Sequence, residues 1–112
     1  MPNSGDVVRL DLSVPQGREA GFPRPAVVVT SSAVLRHQPT VVQVVPLTST
    51  IRDYDAEVLI EADDGNGLGN DSAAQCQHVR SIAVSRLSPA IGTVSSVQLR
   101  QIRETLGLLL DL

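Results

Sequence analysis

Aromatic side chains are nearly missing from this 112-residue chain: Phe22 and Tyr54 make up the whole 2%, and tryptophan is absent. So few rings argue against an aromatic base-stacking platform and against a ring-lined flavin or haem pocket. Cysteine is limited to Cys76. One thiol closes no intramolecular disulfide. With no Cys-x-x-Cys pair and no His-rich spacing, neither a metal nor another cofactor is expected, and a reducing cytoplasm is the expected compartment. No apolar run approaches the roughly 20 residues that cross a bilayer. The opening MPNSGDVVRLDL lacks a basic segment followed by an apolar one, so neither a membrane span nor a secretory signal is expected. Lysine is also lacking, since all nine basic residues are arginine.

The formal charge of −3 conceals an asymmetry. Seven acids lie between Asp53 and Asp71 (Asp53, Asp55, Glu57, Glu61, Asp63, Asp64 and Asp71), and no arginine does. The rest of the chain holds nine arginines against five acids, a net of about +4. That surplus permits a locally basic surface, and the guanidinium fork suits phosphate. A coding bias against lysine accounts for the same composition.

The length suits one domain over residues 1–112, without repeat or linker. Gly5 to Leu12 alternates, with Val8, Leu10 and Leu12 on one face and Val7, Arg9 and Asp11 on the other, which predicts a strand with one wet face. Ser13 to Pro23 carries two glycines and two prolines among polar residues and reads as a long surface loop. The continuously apolar runs within Arg24–Ser31 and Thr40–Leu47 predict two buried strands at the centre of a sheet. One or two helical turns fit between them, from Ser31 to His37. Ala56 to Glu61 predicts a further strand, and Asp63 to Asn70 a turn.

From Ser72 to Ser85 the apolar parity changes: Val79 is odd, whereas Ile82 and Val84 are even. One uninterrupted strand would set them on opposite faces, so a bulge or corner is expected near Arg80. Ser95-Ser96-Val97-Gln98 is a capping box, and Leu99, Ile102, Leu106, Leu109 and Leu110 recur at helical steps. Short strands followed by one helix predict a mainly β fold, a small curled antiparallel sheet or partly open barrel.

Nucleophile elbows, Cys/His pairs and Gly-rich phosphate loops are missing. What remains are polar residues at strand ends: Arg24, then Thr48, Ser49 and Thr50, and around the expected corner Gln75, Gln77, His78, Arg80 and Ser81. An arginine and a hydroxyl brought together there could hold a phosphate and stabilise charge building on it. Ordinary edge and turn positions use the same residue types.

In their order and spacing, these residues are similar to the MazF/PemK family of toxins from bacterial toxin–antitoxin pairs. The likeness runs through Gly5-Asp6-Val7-Val8, Leu10-Asp11-Leu12, Arg24-Pro25-Ala26-Val27-Val28-Val29 and Val44-Val45-Pro46-Leu47-Thr48-Ser49. It continues in Asp71-Ser72, Val79-Arg80-Ser81-Ile82, Ser85-Arg86-Leu87, Ile91-Gly92 and the leucine-rich final helix. The resemblance implies an SH3-like barrel with a C-terminal helix, a homodimer, and a metal-independent endoribonuclease of single-stranded RNA, whether messenger, ribosomal or transfer. It makes Arg24 and Thr48 the catalytic pair. It implies cleavage by the substrate's own 2′-hydroxyl, leaving a 2′,3′-cyclic phosphate and a 5′-hydroxyl. It further implies a MazE-like antitoxin whose acidic tail occupies the RNA groove, with the acidic stretch from Asp53 to Asp64 turned away from RNA.

Glu19 stands where similar family members carry a loop acid, and it counts with Arg18, Ser49, Gln77, His78 and Arg80 among candidate RNA-binding or supporting residues. Gln77-His78 departs from the family's acid-glutamine pair, and His78 reads either as an acid or base beside the phosphate or as a barrel or interface histidine. Arg80 reads either as a phosphate contact or as the partner of an acid within a dimer. His37 reads as a surface residue, Cys76 as a small buried one, and Arg9 and Arg86 as sheet-surface charges. Two readings from other classes stay open: a CcdB-like poison of the same fold that binds DNA gyrase, and an inactive antitoxin-binding dimer.

Overall fold

The computed structural model describes residues 1–10 and 24–112; the Ser13–Pro23 loop, with Arg18 and Glu19, lies outside them, as do Asp11 and Leu12. Seven strands form one curled antiparallel sheet: β1 (Asp6–Leu10), β2 (Arg24–Val28), β3 (Val41–Thr48), β4 (Glu57–Ile60), β5 (Ser72–Gln75), β6 (Arg80–Ala83) and β7 (Gly92–Thr93). Their order is β4-β5-β3-β2-β1-β7, with β6 also paired to β3. Helix α1 (Ser32–Leu35) joins β2 to β3, and α2 (Ser96–Leu110) closes the chain. The mainly β, curled architecture with a C-terminal helix agrees with the sequence expectation, and β2 and β3 do occupy the sheet centre.

Those two strands are apolar at successive positions because both faces of the sheet are covered. Val7, Val27, Val45, Leu47, Ile60 and Ala74 point to one side, where they meet Cys76, Val94 and Ile102. Val8, Leu10, Ala26, Val28, Val42 and Val44 point to the other, against Leu35 and Ile82. Burial pushes the Cys76 thiol up to about 11, so it stays a neutral core residue. The predicted wet face of β1 is corrected here. Val7 is fully buried, because the core around Ile102 of α2 covers it, and only Arg9 in this strand is exposed.

The parity change after Ser72 has a clear cause. Along β3, β6 pairs as far as Val44↔Arg80, and β5 pairs from Leu47↔Ala74 onward. Three steps along β3 therefore face six along its partner, and the surplus is taken up by a 3-10 turn at Cys76–His78. The corner lies just before Arg80, as the apolar pattern requires. Pro46 sits opposite this gap, where a strand would otherwise ask for the N–H that proline lacks.

Both predicted helix starts are present. The Ser31 hydroxyl accepts from Val34 N–H, and at α2 the Ser95 hydroxyl accepts from Gln98 N–H at 3.1 Å while Gln98 Oε1 accepts from Ser95 N–H at 3.0 Å. Ile102 is fully buried, with Leu99 and Leu106 packed beside it. Leu109 and Leu110, expected on the same stripe, are exposed because the last turn runs beyond the residues it could pack on, and Leu108 is 86% exposed. Replacing Ile102 with alanine is expected to cost about 2–5 kcal/mol, the usual penalty for such a cavity, read as a lower urea midpoint.

Candidate functional site

The site is assembled by strand register. Pairing of Ala26 with Pro46, Val27 with Val45 and Val28 with Val44, continued two residues outward, sets Arg24 opposite Thr48. Residues directly opposed across an antiparallel pair share a face. Both side chains line a cavity of about 420 Å³, together with Ser49, Thr50, Gly69, Asn70 and Ser72. The Thr48 hydroxyl oxygen accepts from Thr50 N–H at 3.1 Å, which fixes its rotamer and leaves its O–H free to donate.

The far wall of this cavity comes from the predicted Asp63–Asn70 turn, and fully buried Asn66 holds that turn closed. Asn66 Nδ2 donates to Glu61 O at 2.8 Å, while its Oδ1 accepts from Asp63 N–H at 3.1 Å and Leu68 N–H at 3.0 Å. Gly67 has φ +70 and passes against the backbone of Ile91, so a side chain there would meet both a strained conformation and a collision. Gly69, Asn70 and Ser72 were not among the candidate site residues expected from the sequence. The turn composition showed that a turn exists, but not that it folds back toward β3.

Arg24 also borders a second concavity, of about 580 Å³, formed with Pro46, Gln75, Gln77, His78, Val79 and Arg80. The structure thus brings Gln77, His78 and Arg80 to one side of Arg24, and Thr48 and Ser49 to the other. His78 and Arg80 are exposed, as are His37, Arg9 and Arg86. Arg18 and Glu19 lie outside the described residues, so their place relative to Arg24 is not part of this geometry. Among the described residues, no three His, Cys, Asp or Glu side chains gather as metal ligands.

Behind the second concavity lies a group that sequence reasoning missed. Glu57, on β4, keeps only 2% of its side chain exposed. Its Oε2 accepts from Gln77 Nε2 at 2.7 Å and from Gln75 Nε2 at 3.4 Å, and pairs with Arg52 Nη2 at 2.7 Å. The Arg52 guanidinium lies 4.4 Å from the centroid of the Tyr54 ring, within cation–π range. Burial alone would push the Glu57 carboxyl up. Hydrogen bonds from Gln77, Arg52 and Gln75, with the charge of Arg52, outweigh this and hold it below the usual carboxylate range. The expectation that the whole acidic stretch turns away from the site is therefore corrected for Glu57, because β4 pairs with β5 at Glu57↔Gln75 and so faces the corner. Its only sequence signal was the alternation that gave the strand.

Comparison with known proteins agrees with this architecture. A family described as PemK-like, MazF-like toxin of type II toxin–antitoxin system matches residues 3–110. The endoribonuclease MazF9 of Mycobacterium tuberculosis is 41% identical, covering 100% of this chain and 98% of its own length. The solved M. tuberculosis toxin MazF-mt6 superposes with a TM-score of 0.76 at 28% identity, over 96% of this chain and 97% of that one. A MazE–MazF structure from Deinococcus radiodurans gives a TM-score of 0.80 at 29% identity, over 99% of this chain and 96% of that one.

The Glu57 contacts carry a pH signature. A carboxyl held below its ordinary value of 4.5 in the fold stabilises the folded state above that pH and loses the contribution as pH falls through the lower folded value. Urea midpoints of the wild type and Glu57→Gln should therefore differ most near pH 7, and the gap should narrow as pH falls below 4.5. A gap independent of pH would contradict it.

Proposed function

This chain belongs to the PemK-like, MazF-like toxins of type II toxin–antitoxin systems, and from that premise we propose that it is a metal-independent endoribonuclease acting on single-stranded RNA through Arg24 and Thr48. The observation that carries the reading is the placement of Arg24 opposite Thr48 in one cavity, beside a second concavity with further hydrogen-bonding groups. The identity to an endoribonuclease along the full chain supports the same activity.

In this reading the scissile phosphate lies between the two side chains. The RNA's own 2′-hydroxyl gives up its proton to solvent and attacks phosphorus in line, the bond from phosphorus to the 5′-oxygen breaks, and that oxygen takes up a proton from solvent. The products are a 2′,3′-cyclic phosphate and a 5′-hydroxyl. Because the nucleophile belongs to the substrate, the protein supplies orientation and charge. Arg24 holds the phosphate through its guanidinium fork, neutralises the pentavalent state and donates a hydrogen bond to the leaving oxygen as that oxygen takes up its proton. Thr48 donates its free O–H to a non-bridging oxygen. A guanidinium stays protonated at neutral pH, so Arg24 is not the base that deprotonates the 2′-hydroxyl.

Ser49, Gln77, His78 and Arg80 supply further RNA contacts on either side of Arg24, and Arg18 and Glu19 contribute to RNA binding as well. The 112 residues act as one toxin domain, as a homodimer in the cytoplasm, restrained by a MazE-like antitoxin. The likeness to a MazF solved with MazE supports that partner. The arginine surplus outside residues 53–71 suits both an RNA and an acidic antitoxin tail.

Purified protein incubated in EDTA with a long mixed-sequence RNA should give discrete cuts bearing 5′-hydroxyl ends. Arg24→Ala should lower the cleavage rate by about 10²–10³-fold, the loss typical of removing one donor to a developing anion. Intact messenger, ribosomal and transfer RNA after incubation with wild type would refute the nuclease and favour the gyrase-binding reading. An Arg24→Ala variant as active as wild type would refute the assigned site.

A further inference from the structure

Three donors converge on one oxygen of Glu57, and the consequence falls on Gln77. An ionised carboxylate only accepts hydrogen bonds. A free glutamine amide can turn over and present either its oxygen or its NH2, whereas one tied to Glu57 must direct its NH2 inward. Gln77 Nε2 donates to Glu57 Oε2 at 2.7 Å, a charge-assisted contact. The Gln77 oxygen is then the group left for a ligand. Gln77 is exposed and lines the concavity that also contains Arg24. Arg52, paired to the same carboxylate and stacked on Tyr54, helps keep Glu57 ionised.

We propose that Glu57 is a positioning residue for base selection: by tying down the amide of Gln77, with Gln75 behind it, it presents a fixed acceptor to one nucleobase beside the scissile phosphate. The inference rests on the nuclease reading above and deepens it. A fixed acceptor favours a base edge that leads with an amino group, as adenine, cytosine and guanine offer, and disfavours uracil, whose one edge donor, N3–H, lies between two carbonyl oxygens that repel an incoming acceptor. The concavity, at about 580 Å³, falls within the range of roughly 300–1,000 Å³ usual for small-ligand sites and has room for a base. Glu57 itself touches no RNA, since its side chain is enclosed by Arg52, Gln75 and Gln77.

The test is kcat/KM on short RNAs built on the wild-type cleavage site, each position within two nucleotides of the cut carrying each of the four bases in turn. Wild type should show one position where amino-bearing bases exceed uracil by about tenfold or more, the scale of one well-aligned base contact. In Glu57→Gln, whose amide no longer dictates how Gln77 turns, that ratio should fall to about threefold or less at that position alone. Gln77→Ala, at an exposed site in the 3-10 turn, should flatten the same position and settles the matter if Glu57→Gln fails to fold. Uracil accepted equally at every position by wild type, or a ratio kept in full by the variants, overturns the positioning role. So does an even loss of rate across all positions, which is what a merely structural Glu57 would give. A wild type that cuts no RNA at all overturns the nuclease reading as well, and is recognisable as such before any variant is compared.

Discussion

The antiparallel register of β2 against β3 is the constraint on which the rest of the structure depends. Val27 opposite Val45 and Val28 opposite Val44 fix it, and continuing it outward brings Arg24 to Thr48. A slip of one residue would turn every side chain of one strand to the other face. Burial on both sides guards against that slip, because alternate valines of the same two strands enter different cores. Such a slip would set Ala26 or Val28 where Val27 packs and bring Gln43 toward the core that Val42 and Val44 fill, changing the volume each core must accommodate. The packing energy that holds the sheet together therefore also sets the geometry of the proposed phosphate site, and Arg24 and Thr48 stand where the paired region ends.

The second constraint is the corner opposite Pro46. A proline in a central strand is tolerated here because β6 has ended and β5 has not begun. The 3-10 turn that fills the interval carries Gln77 and His78 to the rim beside Arg24 and leaves Cys76 in the core. A strand continuous from Ser72 to Ala83 would instead have kept those side chains within the regular alternation of the sheet. The same corner brings Gln75 and Gln77 within reach of Glu57, so the device that relieves the proline also builds the polar shell behind the site.

Much of this was legible in the sequence because it depends on local pattern. Unbroken apolar runs marked β2 and β3, the parity change marked the corner, and Ser95 with Gln98 marked the start of α2. The absence of nucleophile motifs and the hydroxyl and arginine at strand ends directed attention to Arg24 and Thr48, and the family resemblance gave that pair its role. What escaped the sequence depends on contacts between distant segments. Val7 looked solvent-facing until the core that includes Val94 and Ile102 closed over it, and Glu57 looked like one more acid in an acidic stretch until β4 paired with β5. Leu109 and Leu110 kept helical spacing beyond the point where the packed face ends, since periodicity reports a stripe and not what lies against it.

The central claim is that Arg24 and Thr48 act on one phosphate from opposite strands, and a double-mutant cycle tests it most directly. Single-turnover cleavage of one RNA would be measured for wild type, Arg24→Ala, Thr48→Val and the double variant. If both groups stabilise the same transition state, the double variant should be only slightly slower than Arg24→Ala, with clear coupling between the two losses. Losses that simply multiply, or a Thr48→Val variant as fast as wild type, would contradict the account.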